Sequence, residues 1–494
     1  MSGDGLTGRL DALAADAARV VAGTSLAADV EQVRARLHRP LRVAIAGRTK
    51  AGKSTLLNAL VGERLAATDA TECTRIVTWY RYDLGYSVAA ELRTGERRNL
   101  EFNRTNGLDI RLGGYGLDEV ERLEVGWPSA RLTNVTLIDT PGIDAGATDP
   151  TTRTVTALVD EDGAGEADAV IYLMRHLHQR DAAFLEAFDA QSTASGSPVN
   201  AVALLSRADE IGGGRLDALE SSAQIAKRYA ADPRVATLVM AVLPIAGLLA
   251  ETGASLRESE LGWLRQVAGL DQANVDALLL SVDRFRSRDE NPLPAEAREH
   301  LLTRFGLFGL RRSVAALRAR PDLSASELAR LLVEASGIRA VEGLIRRHFA
   351  DRADALKART ALARLRSVAS RAAADGLAGA DALAAAVERF EAESPELSQL
   401  RLLHLVHARL ADLNDDERTE VDRLLGAGSV AERLGEPVGT KVPTLGVVTL
   451  RAIERWRTRA SQPLLDRRTA EAAEAVARTY EGIHQQLSGL NVRR

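Results

Sequence analysis

The chain of 494 residues has a single cysteine, Cys73, which excludes an internal disulfide framework and fits a reducing compartment. It also has no excess of charge, because 64 basic residues stand against 68 acidic ones, a formal net charge of −4. This balance argues against a protein that wraps nucleic acid, and we expect no DNA partner. With 46% apolar and 27% charged residues the composition is globular, and the length predicts about two to four domains.

Long apolar runs are missing as well. The longest, residues 235–250, is too short for a membrane-spanning helix and is interrupted by Pro244 and Gly247. The first ten residues contain no basic stretch followed by an apolar one, so they do not resemble a secretory leader. We therefore expect a cytoplasmic protein, which can still lie on a membrane surface.

Apolar spacing divides the chain into two kinds of region. Residues 6–38 have the pattern of one or two amphipathic helices, and strand patterns then alternate with helical ones up to about residue 250. This alternation predicts a mixed or parallel sheet with helices on both faces. The predicted strands are Leu41–Ala46, Ile76–Tyr82, Ser87–Leu92, Leu123–Trp127, Val135–Ile138, Ala169–Leu173, Val199–Leu205 and Val235–Leu243, with helices near 53–60, 151–160, 181–190 and 215–230.

Only helical patterns follow residue 250. They include one long helix with Val341, Leu344 and Leu356 on one face, and a last helix over 446–488. The prediction is an α/β domain over 41–340 joined to a helical bundle, or neck and short trunk, over 341–494. The N-terminal helix, residues 1–40, is expected to pack with that bundle.

Lysine is scarce, since it supplies only five of the 64 basic residues, yet Lys50 and Lys53 lie in one short segment. The segment from Gly47 to Ser54, GRTKAGKS, follows a predicted strand and precedes a predicted helix, which is the pattern of a phosphate-binding P-loop. Its glycines let successive N–H groups point at phosphate oxygens, and the helix adds its positive end. Lys53 would reach the β- and γ-phosphates and Ser54 would bind Mg²⁺. The predicted nucleotide-binding residues of this segment are Gly47, Thr49, Ala51, Gly52, Lys53, Ser54 and Thr55.

A second motif, DTPG, follows the strand Val135–Ile138. Asp139 at the end of a buried strand can hold the hydration shell of Mg²⁺, and the Gly142 N–H can contact a γ-phosphate. The segment can therefore sense whether that phosphate is present.

A third motif, SRAD, follows the strand Val199–Leu205. An aspartate at the place of Asp209 pairs with the N–H and amino group of guanine, and it rejects adenine because adenine lacks both donors. Ser206 and Arg207 depart from the usual Asn/Thr and Lys, although an arginine can still lie against the base. We expect GTP rather than ATP, with an ATPase as the alternative. The backbone of Ala246 and Gly247 is a weaker candidate for contact with the base.

These motifs together resemble the bacterial dynamin-like GTPases, and within them the mycobacterial isoniazid-inducible (Ini) proteins. The stretches that carry the resemblance are AGRTKAGKSTLLNALVG, TDATECTRIVTW, IDTPG, SRADEIG and RFGLFGLR. Threonine is needed between the P-loop and the next strand to close over Mg²⁺; Thr71 and Thr74 both qualify, and the resemblance favours Thr74. It also implies a P-loop GTPase domain, association with a copy or a related dynamin-like protein, and a role at the inner face of the cell membrane.

Two residues bear on hydrolysis. Ile143 stands where many small GTPases have a glutamine that orients water, so backbone groups or another residue must do this. Lys50 occupies a P-loop position from which a positive charge could stabilise the transition state. The alternative is a solvent-facing lysine that only raises nucleotide affinity. On the first hypothesis the catalytic residues are Lys50, Lys53, Thr74 and Gly142.

Other patterns support less specific interpretations. Residues 341–372 are basic and could touch anionic lipid, although such a segment is more often a solvated face or a surface for a partner helix. Between the C-terminal helices the sequence shows no cluster of exposed apolar residues, which puts membrane remodelling by this chain alone in doubt. His404 and His407 suggest packing rather than a metal site. A ribosome- or RNA-associated GTPase and a non-hydrolysing GTP-binding scaffold remain as alternatives.

Overall fold

The computed structural model describes residues 5–63, 65, 76–104, 108–142, 167–176, 181–186, 199–426 and 428–492. Eleven strands lie within these ranges. They are β1 Leu41–Gly47, β2 Val77–Tyr82, β3 Ser87–Leu92, β4 Arg97–Asn99, β5 Glu101–Asn103, β6 Asp109–Arg111, β7 Val120–Trp127, β8 Val135–Asp139, β9 Ala169–Met174, β10 Ala201–Ser206 and β11 Val242–Ile245.

Nine of these strands form one mixed sheet in the order β11-β10-β9-β1-β8-β2-β7-β3-β4, and β5 and β6 form a separate pair. The five strands from β11 to β8 are parallel to one another, and β8 pairs in the antiparallel direction with β2. Along β1 every residue except Arg42 is buried, as expected for a strand covered on both faces. The predicted mixed α/β sheet is confirmed. Because β1, β8 and β10 are parallel, their carboxyl ends lie at one edge, where the three sequence motifs meet.

The predicted strand over Val235–Leu243 is wrong. Residues Pro233–Ala236 form a short helix, begun by Pro233 and capped by Asp232, whose side chain accepts a hydrogen bond from the Arg234 N–H at 2.9 Å. The strand in this region is β11, which contains Pro244. Among the described strands it pairs with β10 alone, and an edge strand tolerates a residue without an N–H. The short strands β4, β5 and β6, which are mostly exposed, were not predicted, because they lack an apolar alternation.

Helices make up most of the remaining described chain. The N-terminal segment forms two, Leu6–Val20 and Leu26–Leu37, and the helix after the P-loop is Lys53–Val61. Residues 181–186 are helical, whereas the predicted helix at 151–160 lies outside the described residues. The later helices are Ala218–Ala231, Gly247–Ala254, Glu258–Ala268, Gln272–Leu278, Val282–Ser287, Ala295–Ala319, Ala325–Ala335, Ile338–His348, Ala353–Ala374, Ala380–Glu393, Pro395–His407, Asp415–Leu424, Val430–Leu434, Val442–Ala460 and Arg467–Val492.

Two predicted long helices are each divided. The stretch through Val341 and Leu356 breaks at a 3-10 turn, Ala350–Arg352, where the Arg352 guanidinium turns away to donate to the Leu425 carbonyl at 3.0 Å. The stretch 446–488 breaks before Pro463, which cannot continue a helix. Within the described ranges, none of the helices combines the length and apolar composition that a bilayer crossing requires.

The N-terminal helices share one apolar core with the sheet and with later helices. Leu10 and Val30 belong to the same buried cluster as Val43 of β1 and as Leu362 and Leu365 of the Ala353–Ala374 helix. A second buried cluster, around Trp456 and Tyr480, lies further along the helical region. The first core therefore ties the bundle directly to the central strand that precedes the P-loop.

An ion pair is buried where the Leu26–Leu37 helix meets the sheet. Arg36 Nη2 donates to Asp168 Oδ1 at 3.0 Å, and the other carboxylate oxygen accepts from the Arg42 N–H at 2.9 Å. Both side chains are almost completely buried. Removing one partner of such a pair leaves an uncompensated buried charge.

We expect Asp168→Ala to lower the free energy of unfolding by about 3–5 kcal/mol, because a buried ion pair is broken and the Arg42 N–H loses its acceptor. The matched control is Asp16→Ala, which breaks the exposed Arg19–Asp16 pair and should cost less than about 1 kcal/mol. Urea unfolding of the two variants checks this. Equal losses of stability in both would contradict the importance of the buried pair.

Candidate nucleotide site

The P-loop begins where β1 passes close to β9. Gly47 has φ +146°, and a Cβ at this position would collide with the carbonyl oxygen of Leu173. Only glycine fits this approach without moving the strand. The chain then curls through Lys50, whose φ is +61°, and the Ala51 N–H donates to the Arg48 carbonyl at 3.0 Å. The loop is thus a compact turn at the end of the sheet.

The helix Lys53–Val61 starts directly after Gly52, which has φ +96°. Lys53 is buried, and its ammonium donates to the carbonyls of Gly47 and Arg48 at 3.2 and 3.3 Å. The first N–H groups of a helix have no acceptor within it, so they can bind an anion. The N-terminal end of this helix and the Lys53 ammonium therefore lie close together beside the P-loop, the arrangement that the sequence predicts for a phosphate site.

Asp139, the last residue of β8, lies beside this helix end. The Ser54 hydroxyl is 3.4 Å from Asp139 Oδ2, and within the described chain the buried Oδ1 has no hydrogen-bond partner. Burial raises the pKa of Asp139 to about 6, against the opposing effects of Lys53 and Ser54. A carboxylate and a hydroxyl oxygen suit Mg²⁺, which usually keeps waters and phosphate oxygens as its other ligands. The predicted third protein ligand, Thr74, lies outside the described residues, as do Thr71, Cys73 and Ile143.

Gly142 lies against the P-loop itself. A Cβ at Gly142 would be 2.7 Å from the Thr49 Cα and 2.9 Å from the Thr49 N, so a side chain here would displace the loop. Thr140 anchors the same segment, because its hydroxyl donates to the Ile45 carbonyl at 3.0 Å. The DTPG segment and the P-loop are therefore in direct backbone contact.

The SRAD motif reaches the P-loop from the end of β10. Arg207 Nη2 donates to the Lys50 carbonyl at 3.0 Å, and Nη1 donates to Glu210 Oε1 at 2.6 Å. The Ser206 hydroxyl donates to the Met174 carbonyl at 3.2 Å and so serves the packing of the sheet. Lys50 is exposed, and within the described chain its side chain makes no hydrogen bond or ion pair. Its ammonium is therefore free to turn towards a ligand.

Asp209 is only 7% exposed, and burial raises its pKa to about 6, with the nearby Glu210 contributing in the same direction. No side chain in the described ranges donates a hydrogen bond to its carboxylate. Sequence reasoning missed one neighbour of this group, Gly306, which interrupts a long helix beside it. The available signal was a glycine inside the helical pattern RFGLFGLR.

Ala246 and Gly247 have different positions in the structure. The Ala246 N–H donates to the Ser336 carbonyl at 2.9 Å, so this amide already has an acceptor within the protein. Gly247 starts a helix and packs on the P-loop helix, with a Cβ position 3.5 Å from Thr55 Cγ2. Of the two, only Gly247 remains a candidate for backbone contact with a base.

His404 and His407 lie at the end of the helix Pro395–His407. Burial lowers the pKa of His404 to about 4, so its imidazole is neutral at pH 7. A third histidine, His348, is similarly affected, again mainly by burial. Among the described residues, no three histidine, cysteine or acidic side chains come together as a metal site.

The raised pKa of Asp209 predicts a pH-dependent stability. The folded carboxyl keeps its proton up to about pH 6, whereas the unfolded one releases it near 3.8, so the folded state binds more protons in between. The contribution of Asp209 to the stability of the nucleotide-free protein should therefore fall as the pH rises from about 4 to about 6. Asp209→Asn should be more stable than the wild type at pH 7.5, by about 1–3 kcal/mol, with the difference fading towards pH 4.

Asp232→Asn is the control, because the expected change in stability at pH 7.5 has the opposite sign. The pKa of Asp232 is lowered by hydrogen bonds from Arg234, so this variant should lose stability at pH 7.5 and approach the wild type in acid. Urea unfolding at pH 4, 5, 6 and 7.5 measures both. If Asp209→Asn is less stable than the wild type at pH 7.5, burial of the charged carboxylate does not destabilise the folded protein.

Comparison with known proteins agrees with this geometry. A sequence model of the dynamin family matches residues 43–195. The isoniazid-induced protein IniC of Mycobacterium tuberculosis, in strains CDC 1551 / Oshkosh and ATCC 25618 / H37Rv, is 41% identical over 464 residues, which cover 93% of this chain and 93% of the relative.

Solved structures that describe an oligomerised bacterial dynamin pair, and its long-range sensing and tethering of membranes, are more distant. Two of them show 12% identity and a TM-score of 0.35; they cover 99% and 97% of this chain, and 92% and 91% of their own. A TM-score this low does not support a family assignment, which therefore rests on the sequence relatives. By the extent and level of that identity, this chain belongs to the bacterial dynamin-like GTPases, in the group of the isoniazid-induced Ini proteins.

Proposed function

We propose that the chain binds GTP with Mg²⁺ at this site and hydrolyses it to GDP. Asp139 is the observation that carries the proposal: a buried carboxylate oxygen without a partner lies beside the Ser54 hydroxyl and the Lys53 ammonium. A bound Mg²⁺ would supply the positive charge that this carboxylate lacks and would neutralise charge on the phosphates, as it does in P-loop enzymes. Asp139 and Ser54 would hold the ion, together with Thr74.

Each remaining site residue has a role in this proposal. The backbone from Gly47 to Thr55 surrounds the phosphates, Lys53 neutralises them, and the Gly142 N–H contacts the γ-phosphate. Asp209 accepts from the two guanine donors, Arg207 lies beside the base, and Gly247 closes the base subsite. Loss of the γ-phosphate would remove the contact at Gly142, and the tight Gly142–Thr49 packing supports transmission of that change to the P-loop.

Substitutions of the two P-loop lysines test the site and the chemistry separately. Lys53→Ala should weaken GTP and GDP binding by about 100-fold, because charge-assisted hydrogen bonds to phosphate are lost. Lys50→Ala should keep affinity within about threefold and lower kcat by about 10- to 100-fold, less than the loss of an arginine finger. Titration with a fluorescent GDP analogue and steady-state phosphate release measure these effects.

Lys227→Ala is the matched control, because this exposed lysine lies on the Ala218–Ala231 helix away from the P-loop sequence. Unchanged kcat with weaker binding in Lys50→Ala would assign Lys50 to affinity alone. Normal binding and turnover in Lys53→Ala would overturn the site itself. Normal GTP affinity of the wild type without phosphate release would select the scaffold alternative.

We extend the proposal to the helical bundle. The nucleotide state would change association with a copy of the chain or a related dynamin-like protein and move the bundle, in membrane remodelling or maintenance at the inner face of the cell membrane. Kinship with the dynamin family supports this role. The turn between the last two helices gives further support to a membrane role. Leu464 in this turn is 99% exposed, and the neighbouring Arg467 side chain is 91% exposed. This leucine is one exposed apolar residue, and the expectation concerned a cluster of them.

A co-sedimentation experiment with anionic phosphatidylglycerol vesicles tests this turn. We expect the wild type to bind, and Leu464→Asp to bind about 10-fold more weakly, because burial of a leucine in the lipid interface is lost. The control is Leu84→Asp, which changes a leucine between β2 and β3 that is 87% exposed. Equal binding of wild type and Leu464→Asp, or no binding of either, would favour a regulatory GTPase that does not act on membranes.

A further inference from the structure

The helix Ala295–Ala319 is interrupted at Gly306, which has φ +59° and ψ 177°. This backbone conformation is essentially restricted to glycine. The interruption falls in the segment RFGLFGLR, for which the proposed catalytic chemistry gives no role. A break inside a helix also leaves backbone groups without their usual partners.

Contacts on both sides hold the break in place. Before it, the buried Thr252 hydroxyl donates to the Arg304 carbonyl, and Arg304 Nε donates to the buried Glu260 at 2.9 Å. After it, Arg311 Nη1 donates to the Gly213 carbonyl at 2.9 Å, in the loop that follows Asp209. The break leaves the Arg304 carbonyl beside a hydrogen-bond donor, the Thr252 hydroxyl, so the break is stabilised by the surrounding fold.

The break lies beside two parts of the proposed base subsite. A Cβ at Gly306 would be 4.0 Å from Asp209 Oδ2 and 3.5 Å from Leu248 Cδ2, next to Gly247. The loop after Asp209 approaches the same point, since a Cβ at Gly214 would be 3.5 Å from the Phe308 N. The Asp209 carboxylate accepts from its own backbone N–H but from no other described side chain, so the neighbouring backbone and packing set its direction.

We infer that the Gly306 break is a specificity-determining element: it forms one wall of the base subsite and holds the Asp209 carboxylate in line with the two guanine donors. The inference rests on the proposed GTP function. A carboxylate can accept from the N1–H and the 2-amino group together only when it is coplanar with the base. Any residue that straightens or strains the backbone at position 306 would rotate the Asp209 carboxylate out of the plane of the base. Gly306 is therefore a positioning residue that acts through Asp209.

Comparison of GDP with IDP, whose base lacks the 2-amino group, isolates this effect. The wild type should prefer GDP by about 10- to 100-fold, the size of a hydrogen bond to a charged group. In Gly306→Ala the preference should fall below about threefold, because GDP affinity drops more than IDP affinity. Gly262→Ala, in the neighbouring helix Glu258–Ala268 with nothing within 4 Å of its Cβ position, should leave both affinities unchanged.

The second variant, Thr252→Val, removes the hydroxyl that holds the Arg304 carbonyl and should lower the GDP preference by about three- to tenfold. If Gly306→Ala does not fold, the GDP preference of Thr252→Val tests the inference instead. A retained preference in the folded variants, or an equal loss of GDP and IDP affinity, overturns the inference and leaves the proposed function standing. A wild type that binds neither nucleotide, or both equally, overturns the proposed guanine recognition itself.

Discussion

Close backbone contact between the P-loop and its two neighbours is the constraint on which the rest of the site depends. Gly47 leaves no room for a Cβ against Leu173 of β9, and Gly142 leaves none against Thr49. These contacts bring the ends of β1, β8 and β9 together closely enough for one phosphate group to touch several N–H groups. A single methyl group at either glycine would separate elements that must act on the same ligand.

The electrostatics of the site follow from this compactness. Asp139 and Asp209 are both deprived of water, and the pKa of each carboxyl is raised to about 6. Elsewhere, acidic side chains such as Glu290 have hydrogen-bonded arginine partners and lowered pKa values. Two carboxylates that lack such partners are less stable in the charged form, and in the proposed function a cation would compensate Asp139 and base N–H donors would compensate Asp209. Such perturbed groups in one place are typical of functional sites.

The surrounding helices determine how rigidly the site is held. The N-terminal helices share a core with β1, and the buried Arg36–Asp168 pair fixes their end to the start of β9. On the other side, Arg304 and Arg311 hold the interrupted helix against the base loop. The sheet carrying the nucleotide motifs is thus attached to the helical region through buried apolar contacts and charged hydrogen bonds, which is the kind of connection that a nucleotide-driven movement of the bundle would require.

The α/β class, the P-loop and the DTPG motif could be predicted from the amino-acid sequence, because they depend on local spacing: glycines at tight turns, an apolar strand before each motif and a helix after the first. The sequence-based prediction was wrong where a local pattern fitted two structures. Pro244 lies in an edge strand rather than ending one, and Pro463 divides a predicted helix. Three contacts became visible in the folded protein: Arg207 reaches the Lys50 carbonyl, the Ala246 amide is paired, and Gly306 lies beside Asp209. These contacts join residues far apart in the chain, and their distances are fixed by packing, which no spacing rule contains.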